Sequence, residues 1–319
     1  MADRSAGAGV WSAAQVGEQR DRIVLVTGAN SGIGFEAARI LAARGARVVL
    51  GCRDVDRAER AAARIAADGS VAPPAVLRLD LASLTSVRDA AGRFRAEHSR
   101  LDLLVNNAGV MLPPPGRTED GFEMQFGVNH LGHFALTGLL LDLMLPVPGS
   151  RVVTVSSGAH RLGRMRFDDL HGDRGRRPAR AYAQSKLANL LFTLELQRRL
   201  TASGAGTVAM AAHPGMTRTD LVRHVPLLAR VTTGARFCWL ADRLLQAPAM
   251  GALPTVRAAV DPDAVGGTYY GPSGWWELVG HPVPARVHRR ARAARAQRRL
   301  WRESERLTGV HFPLPEPAG

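Results

Sequence analysis

The stretch that decides the fold is Arg22-Ile23-Val24-Leu25-Val26-Thr27-Gly28-Ala29-Asn30-Ser31-Gly32-Ile33-Gly34-Phe35. Its apolar, mostly β-branched run at residues 23–26 predicts a strand buried on both faces, as in a parallel sheet. A glycine-rich turn and a helical pattern over residues 35–44 follow directly. This order is typical of a dinucleotide site, because glycines let the backbone approach a pyrophosphate and the helix N-terminus offers N–H groups. The alternative is a tight turn with no ligand.

Further strand patterns alternate with helical ones along the chain. Strands are predicted at residues 47–50, 76–79, 101–105, 151–157, 207–212 and 266–270, and helices include 55–67 and 182–200. This alternation predicts the α/β class, with a single doubly wound Rossmann-type domain, a central parallel sheet and helices on both faces. We expect a flexible N-terminal arm at 1–20, a dinucleotide-binding domain at 21–282 with a substrate lid at about 217–247, and a basic C-terminal helix and tail at 283–319.

Length and composition favour one globular protein of the cytoplasm. The chain has 319 residues, of which 46% are hydrophobic, so it can bury a large core. Its two cysteines, Cys52 and Cys238, cannot build a disulfide framework. The first twenty residues carry no apolar signal core, and the apolar run at 131–147 is interrupted by His133 and Asp142. We therefore expect a cytoplasmic protein, with peripheral membrane association as the alternative.

The net charge of +14 invites a prediction of nucleic-acid or membrane binding. Much of it lies at residues 161–180 and 286–306, where arginines stand among alanines and glycines. Since strong nucleic-acid motifs are missing, we expect solvated surface charge and no nucleic-acid partner. A basic membrane-surface protein remains a rival interpretation.

Tyr182 and Lys186 stand four residues apart, which places them on one face of the predicted helix. A phenol with a pKa near 10 needs a nearby cation to work as an acid or base at neutral pH. Lys186 is the only lysine among 42 basic residues, and every other one is arginine. A compact, tunable ammonium has therefore been kept at this position. The alternative is a half-buried tyrosine beside a solvated lysine.

The glycine pattern Thr-Gly-x-x-x-Gly-x-Gly and the Tyr-x-x-x-Lys pair together resemble the short-chain dehydrogenase/reductase family. The resemblance covers about residues 21–281, with the motifs in order at predicted strand ends. The 24 residues between Ser157 and Tyr182, with the motifs on either side, resemble the retinol-dehydrogenase and WW-domain-oxidoreductase branch, without its WW domain. The resemblance implies an alcohol/carbonyl oxidoreductase that uses a nicotinamide cofactor.

The resemblance also implies a catalytic set. Its members are Asn129, Ser157, Tyr182 and Lys186. Tyr182 would exchange the proton on oxygen, Lys186 would lower its pKa and hold the nicotinamide ribose, and Ser157 would orient the substrate oxygen. Asn129 would support a proton relay through water. Ser156 is the alternative serine, and a Ser-His hydrolase is disfavoured because this segment lacks a Gly-x-Ser-x-Gly elbow.

The cofactor-binding residues implied by the resemblance follow the strand ends. They are Gly28, Asn30, Ser31, Gly32, Ile33, Gly34, Arg53, Asp80, Leu81, Asn107, Ala108, Gly109, Tyr182, Lys186, Pro214, Gly215 and Thr217. Counting about twenty residues past the last glycine points to Asp54 and to NAD(H). In the family, however, the NAD-selecting acid stands at the place of Cys52, and an arginine at the place of Arg53 accompanies a 2′-phosphate. We therefore expect NADP(H) in preference to NAD(H).

The remaining expectations concern ligands and partners. His130 and His133 have a metal-like spacing but no obvious third ligand, so we expect satisfied polar residues and no metal. An apolar lid favours a small lipophilic substrate of retinoid, steroid or aldehyde type. A homo-oligomer is compatible with the family resemblance. A cofactor-binding sensor or scaffold without turnover is the second alternative function.

Overall fold

The computed structural model describes residues 10–69, 72–172, 177–217 and 245–317. Eight strands form one sheet in the order β3-β2-β1-β4-β5-β6-β7-β8. The strands are β1 (Ile23–Thr27), β2 (Arg47–Cys52), β3 (Ala75–Arg78), β4 (Leu103–Asn106), β5 (Arg151–Val155), β6 (Val208–Ala212), β7 (Tyr269–Pro272) and β8 (Pro282–Pro284). The helices are α1 (Gly32–Ala43), α2 (Val55–Ala67), α3 (Leu84–Glu97), α4 (Met124–Phe126), α5 (Gly132–Leu140), α6 (Pro178–Ala202), α7 (Pro248–Val260) and α8 (Ala294–Thr308).

The strand order reverses between β1 and β4, which are parallel neighbours with Val24 opposite Leu103. On its other edge β1 pairs in parallel with β2, with Val24 opposite Val48. Such a reversal leaves a crevice beyond the carboxyl ends of the strands, where open α/β sheets bind ligands. The predicted doubly wound Rossmann-type fold is confirmed.

The sheet departs from the all-parallel prediction at one edge. Strand β8 runs antiparallel to β7, with Gly271 opposite Val283. Pro282 and Pro284 belong to β8, and proline lacks a ladder donor, which restricts it to sheet edges. The two prolines explain why this strand is short and why the sequence pattern did not reveal it.

Apolar layers cover both faces of the sheet. On one face, α3, α5, α6 and α8 contribute Phe94, Phe134, Leu190 and Trp301 to a single buried cluster. On the other face, α1 and α2 pack against the sheet through residues such as Leu41 and Ile65. The first layer lies beneath the candidate site and includes the second half of α6.

Both ends of the described chain contact the domain. Val16 is only 1% exposed and clusters with Ile40 and Val256, within the segment expected to be part of a flexible arm. Trp301 of α8 is equally buried, with its ring centroid 5.2 Å from that of Phe134. Val16 and Gln19 therefore anchor residues 10–20 to the domain, while residues 1–9 and most of the expected lid, 218–244, lie outside the described residues.

In the part of the chain that the structure describes, no helix is both long and apolar enough to cross a membrane.

Candidate active site

The glycine-rich turn connects β1 to α1 at the carboxyl end of the sheet. Gly28 has a φ of +65°, and a Cβ there would lie 2.9 Å from the Cβ of Ala108. A Cβ on Gly34 would overlap the Asn107 side chain and the Gly28 carbonyl oxygen. Both glycines are therefore required by close packing of the turn against residues 107–108.

The N-terminus of α1 lies at this turn. Ser31 occupies the N-cap position, yet its side chain makes no capping hydrogen bond. Free N–H groups at a helix N-terminus favour an anion, so this end of α1 suits a phosphate group.

Thr27, the last residue of β1, organises the neighbouring strand end. Its Oγ1 accepts hydrogen bonds from the backbone N–H groups of Asn107 and Ala108, each at 2.9 Å. The Asn107 side chain returns a hydrogen bond to the Thr27 carbonyl oxygen at 2.8 Å. The buried Thr27 hydroxyl thus holds the segment Asn106–Gly109 against the glycine-rich turn, a role that no motif in the sequence predicted.

His133 extends this contact into the helical layer. Its Nε2 lies 2.8 Å from Thr27 Oγ1, and its Nδ1 lies 3.1 Å from the Asn129 carbonyl oxygen. Burial, together with the charge of Lys186, lowers the pKa of His133 to about 4 against the hydrogen bond to Asn129. The ring is therefore neutral, with the proton on Nδ1 and Nε2 accepting from Thr27.

His130 likewise serves packing. Its Nε2 lies 2.8 Å from the Ser304 hydroxyl of α8, and burial, with the nearby His133, lowers its pKa to about 3. Among the described residues, no group of three or more histidine, cysteine or acidic side chains could hold a metal ion.

Asn129 lies in a π-helical segment, Gly127–Leu131, between α4 and α5. Such segments are rare and occur often at functional sites. The Asn129 Oδ1 accepts from the Val110 N–H at 2.7 Å, and Nδ2 donates to the Val110 carbonyl and to Ser185 Oγ, each at 3.0 Å. The side chain thus joins the strand β4 turn to helix α6.

Lys186 is 4% exposed, so its ammonium is almost dehydrated. Its Nζ donates to the Val155 carbonyl at 3.2 Å, and a Cβ on Gly109 would lie only 3.4 Å from Nζ. Burial lowers the pKa of Lys186 to about 8, so the group is still charged at neutral pH.

Tyr182 lies one helical turn before Lys186 and is partly exposed at the mouth of the site. Lys186 Nζ lies 5.8 Å from the centroid of its ring. Burial raises the pKa of Tyr182, although a hydrogen bond with Ser157 opposes the shift. Burial outweighs that hydrogen bond, and the lowering of this pKa by Lys186 stays a prediction.

The two candidate serines have different surroundings. Ser157 is partly exposed, hydrogen-bonds Tyr182 and accepts from the Ala159 N–H at 3.2 Å. Ser156 is 2% exposed, and its hydroxyl donates to the Lys186 carbonyl at 2.8 Å. Ser157 is the serine that faces Tyr182, and Ser156 joins β5 to α6.

Four side chains proposed from sequence thus meet in one place, at the carboxyl ends of β4 and β5. Residues 22–227 match the family model described as short chain dehydrogenase. The chain belongs to the short-chain dehydrogenase/reductase family.

Curated relatives of this dehydrogenase belong to the retinol-dehydrogenase-like branch. Human retinol dehydrogenase 13 is 44% identical over 299 residues, covering 92% of this chain and 86% of the relative. Mouse retinol dehydrogenase 12 is 42% identical over 295 residues, covering 91% and 87%. A solved structure of an uncharacterized protein from Mycobacterium paratuberculosis has a TM-score of 0.78 at 43% identity, covering 96% of this chain and all of the other. These relatives establish an NAD(P)-dependent oxidoreductase.

The residues predicted to meet the adenosine of the cofactor lie at the end of β2. Cys52 is 3% exposed, and burial raises the pKa of its thiol to about 11 despite hydrogen bonds from the N–H groups of Ala29 and Asn30. Arg53 is exposed, whereas Asp54 accepts from the Arg57 N–H at 3.0 Å and caps α2. The carboxylate reached by counting from the glycines therefore has a structural task.

A cleft of about 440 Å³ next to the glycine-rich turn is lined by three arginine side chains. Asn30 and Ser31 line it together with Arg57, Arg60 and Arg64 of α2. The sequence analysis did not single out these arginines, although their spacing of three and four residues places them along one helix face.

The other predicted cofactor residues also lie along this edge of the sheet. Asp80 accepts from the Ala82 N–H at 2.9 Å, and Leu81 is 7% exposed beside it. Thr217 donates to the Pro214 carbonyl at 2.8 Å. Gly215 has a φ of +63°, and a Cβ there would overlap the Leu278 carbonyl.

These residues fit a dinucleotide. The uncapped N-terminus of α1 suits a pyrophosphate, and the buried Lys186 ammonium has donor capacity beyond its hydrogen bond to Val155. The site residues follow four neighbouring strands, β1, β4, β5 and β6. A cofactor extended across the switch point would meet all of them.

Proposed function

We propose that this protein transfers a hydride between the nicotinamide of NADP(H) and a lipophilic alcohol or carbonyl compound. The observation that carries the proposal is the convergence of Tyr182, Ser157 and Lys186, with Lys186 Nζ 5.8 Å from the centroid of the tyrosine ring and Ser157 near enough to Tyr182 to oppose the rise of its pKa. When bound, the nicotinamide would supply or accept the hydride at C4.

The protein's own groups would handle the proton and the substrate oxygen. In reduction, Tyr182 donates its phenolic proton to the oxygen of the carbonyl group, and in oxidation it takes that proton back. Ser157, already bonded to Tyr182, donates a hydrogen bond to the same oxygen as charge develops on it. Two donors aimed at one oxygen would orient the carbonyl toward the cofactor.

Lys186 and Asn129 would complete the site. The Lys186 ammonium, charged below a pKa of about 8, stabilises negative charge on Tyr182 after proton transfer and holds the nicotinamide ribose. Asn129 fixes the Val110 backbone and Ser185, next to Lys186, and supports the proposed relay. Because burial raises its pKa, Tyr182 carries its phenolic proton at neutral pH.

NADP(H) is the proposed cofactor, with NAD(H) as the alternative. The Cys52 thiol is neutral and does not repel a 2′-phosphate, and the Asp54 carboxylate accepts from the Arg57 N–H at the start of α2. Arg53 and the α2 arginines beside Asn30 and Ser31 would attract that phosphate. A dehydrogenase from Shigella flexneri solved with NADP has a TM-score of 0.60 at 27% identity, covering 78% of this chain and 96% of the other, and supports the same choice.

A lipophilic substrate is proposed because the curated relatives are retinol dehydrogenases. Retinoids, steroids and long-chain aldehydes share a long apolar body with one polar end. We further propose a cytoplasmic enzyme with peripheral membrane contact, a dinucleotide-binding domain at residues 21–282, and assembly into homo-oligomers.

The test is a fluorescence titration of the purified protein with NADPH and with NADH, followed by oxidation of the bound cofactor with a panel of lipophilic aldehydes and ketones. We expect tighter binding of NADPH and turnover that rises with the apolar length of the carbonyl compound. Binding without turnover on any member would favour the sensor or scaffold alternative. Equal affinity for the two cofactors would remove the proposed role of Arg53.

A further inference from the structure

One carboxylate outside the proposed catalytic set contacts three separate segments near the site. Glu277 Oε2 accepts from Arg161 Nη2 at 2.7 Å and lies 3.0 Å from His213 Nε2. Its Oε1 accepts from the Arg286 N–H at 3.3 Å. Arg161 lies in the short 3-10 helix Gly158–Leu162, which begins directly after Ser157, and His213 follows β6 directly.

The backbone at this carboxylate has an uncommon conformation. Trp276 has φ 53° and Glu277 has φ 59°, so two consecutive bulky residues lie in the left-handed region. Residues other than glycine rarely adopt it, and such strain persists where the surroundings over-determine it. The turn directs Glu277 inward, where its side chain is 18% exposed, while the Trp276 ring is 68% exposed.

His213 is held as firmly as its partner. It is 1% exposed, and a Cβ on Gly271 would overlap its Nε2, so the ring lies directly against the β7 backbone. Its Nδ1 accepts from the Gly215 N–H at 3.3 Å. The His213 ring therefore connects Glu277 to the loop at residues 214–217.

The turn that carries Glu277 supports the same loop through its backbone. The Leu278 carbonyl accepts from the Met216 N–H at 2.7 Å. Gln246 donates to the Pro214 carbonyl at 2.6 Å and accepts from the Gly280 N–H at 3.0 Å. Glu277 also contacts Arg161, which lies in the turn after Ser157, so it connects that turn to the loop at residues 214–217.

We infer that Glu277 is a positioning residue that fixes the distance between the Ser157 turn and the 214–217 loop. This inference rests on the proposed function, since those segments would hold the substrate oxygen and the nicotinamide. Burial alone would raise the pKa of the Glu277 carboxyl, but hydrogen bonds from His213 and the Arg286 N–H, with the electrostatic attraction of Arg161, keep it lowered. The group is thus a carboxylate and can accept from both sides at once.

The test compares wild type with Glu277→Gln, which keeps the size of the side chain but leaves one acceptor oxygen for the three donors on Arg161, His213 and Arg286. Glu303→Gln is the matched control, because Glu303 pairs with Arg306 at 3.0 Å on the outer face of α8. Two ligands are titrated: NADPH and 2′,5′-ADP, which carries the adenosine end but no nicotinamide. Hydrogen exchange of the cofactor-free proteins gives a readout independent of catalysis.

We expect Glu277→Gln to bind 2′,5′-ADP as wild type does but to bind NADPH about tenfold more weakly, with kcat lowered by about 10–100-fold, since small misplacements at a site cost this much. Exchange should speed up at residues 157–162 and 213–217 and stay unchanged at residues 28–34. Glu303→Gln should match wild type in every measurement.

Unchanged exchange in both segments of Glu277→Gln, or equal weakening of NADPH and 2′,5′-ADP, would overturn the inference, the second because it indicates general destabilisation. Faster exchange in a protein whose wild type binds no NADPH would contradict the proposed function and leave the positioning role of Glu277 supported. The two failures are therefore distinguishable.

Discussion

Replacement of Lys186 by methionine should abolish turnover and yet stabilise the protein at neutral pH. The Lys186 ammonium is 4% exposed, and burial lowers its pKa from 10.5 to about 8. At about 1.4 kcal/mol per pH unit, keeping this group charged in the folded state costs about 3 kcal/mol. Methionine fills similar space without a charge.

The stability gained by removing the buried charge is reduced by the loss of the hydrogen bond from Lys186 to the Val155 carbonyl. That carbonyl keeps a second donor, Asn189 Nδ2 at 3.0 Å, so the substitution leaves no buried acceptor without a partner. We set this loss at about 1.5–3 kcal/mol, the range for a hydrogen bond with a charged group. Lys186→Met should therefore raise the free energy of unfolding by up to about 1.5 kcal/mol at pH 7.

The pH dependence carries a definite sign. Because the folded-state pKa lies below the unfolded value, the unfolded chain binds the extra proton between pH 8 and 10.5. The free-energy cost of keeping Lys186 charged in the folded wild type is fully present below pH 8 and disappears as the pH rises to 10.5. The stability advantage of Lys186→Met should therefore shrink across this window, whereas other titrating groups affect both proteins equally.

The assay is denaturant unfolding followed by tryptophan fluorescence at pH 7 and at pH 9.5. Arg302→Met, an exposed site on α8, is the control for removing a cation and should change stability by less than about 0.5 kcal/mol. A Lys186→Met protein that is less stable than wild type at pH 7, or a difference that does not depend on pH, would refute the reasoning.

Three further substitutions test other parts of the site. Thr27→Val removes the acceptor of the Asn107 and Ala108 N–H groups, so we expect a loss of about 2 kcal/mol in unfolding free energy and weaker NADPH binding; wild-type values for both would contradict its organising role. Arg53→Glu should reduce the preference for NADPH over NADH at least tenfold in a fluorescence titration, and an unchanged ratio would argue for the α2 arginines instead. Lys186→Arg should turn over poorly despite keeping its charge, because a guanidinium is larger and does not titrate; near-normal rates would contradict the need for lysine.

The sequence predicted the framework of the fold because local patterns determine it. The apolar run of β1, the glycines of the turn and the alternation of strands with helices required no knowledge of distant contacts. The helix at residues 55–67 has the predicted bounds, and α6 begins at Pro178, four residues before the predicted start. Strand β8 was missed because its two prolines argue against a strand, and its pairing depends on the position of β7.

The chemistry of the site was less accessible from sequence. The four proposed catalytic residues could be named from their motifs, but the pKa direction of Tyr182 depends on its burial and on the position of Ser157. Asp54 has the right spacing for a ribose ligand, yet capping α2 takes precedence. Glu277 lies 64 residues beyond His213, and no local pattern links the two.

The most direct test of the central claim is reduction of a long-chain aldehyde with NADPH that carries deuterium at both C4 positions, by wild type and by Tyr182→Phe. We predict deuterium on the carbinol carbon of the wild-type product. Tyr182→Phe should form no product and keep an NADPH dissociation constant within about threefold of wild type, since the lost hydroxyl contacts the substrate oxygen. Product without deuterium, or wild-type rates in Tyr182→Phe, would contradict the proposed mechanism.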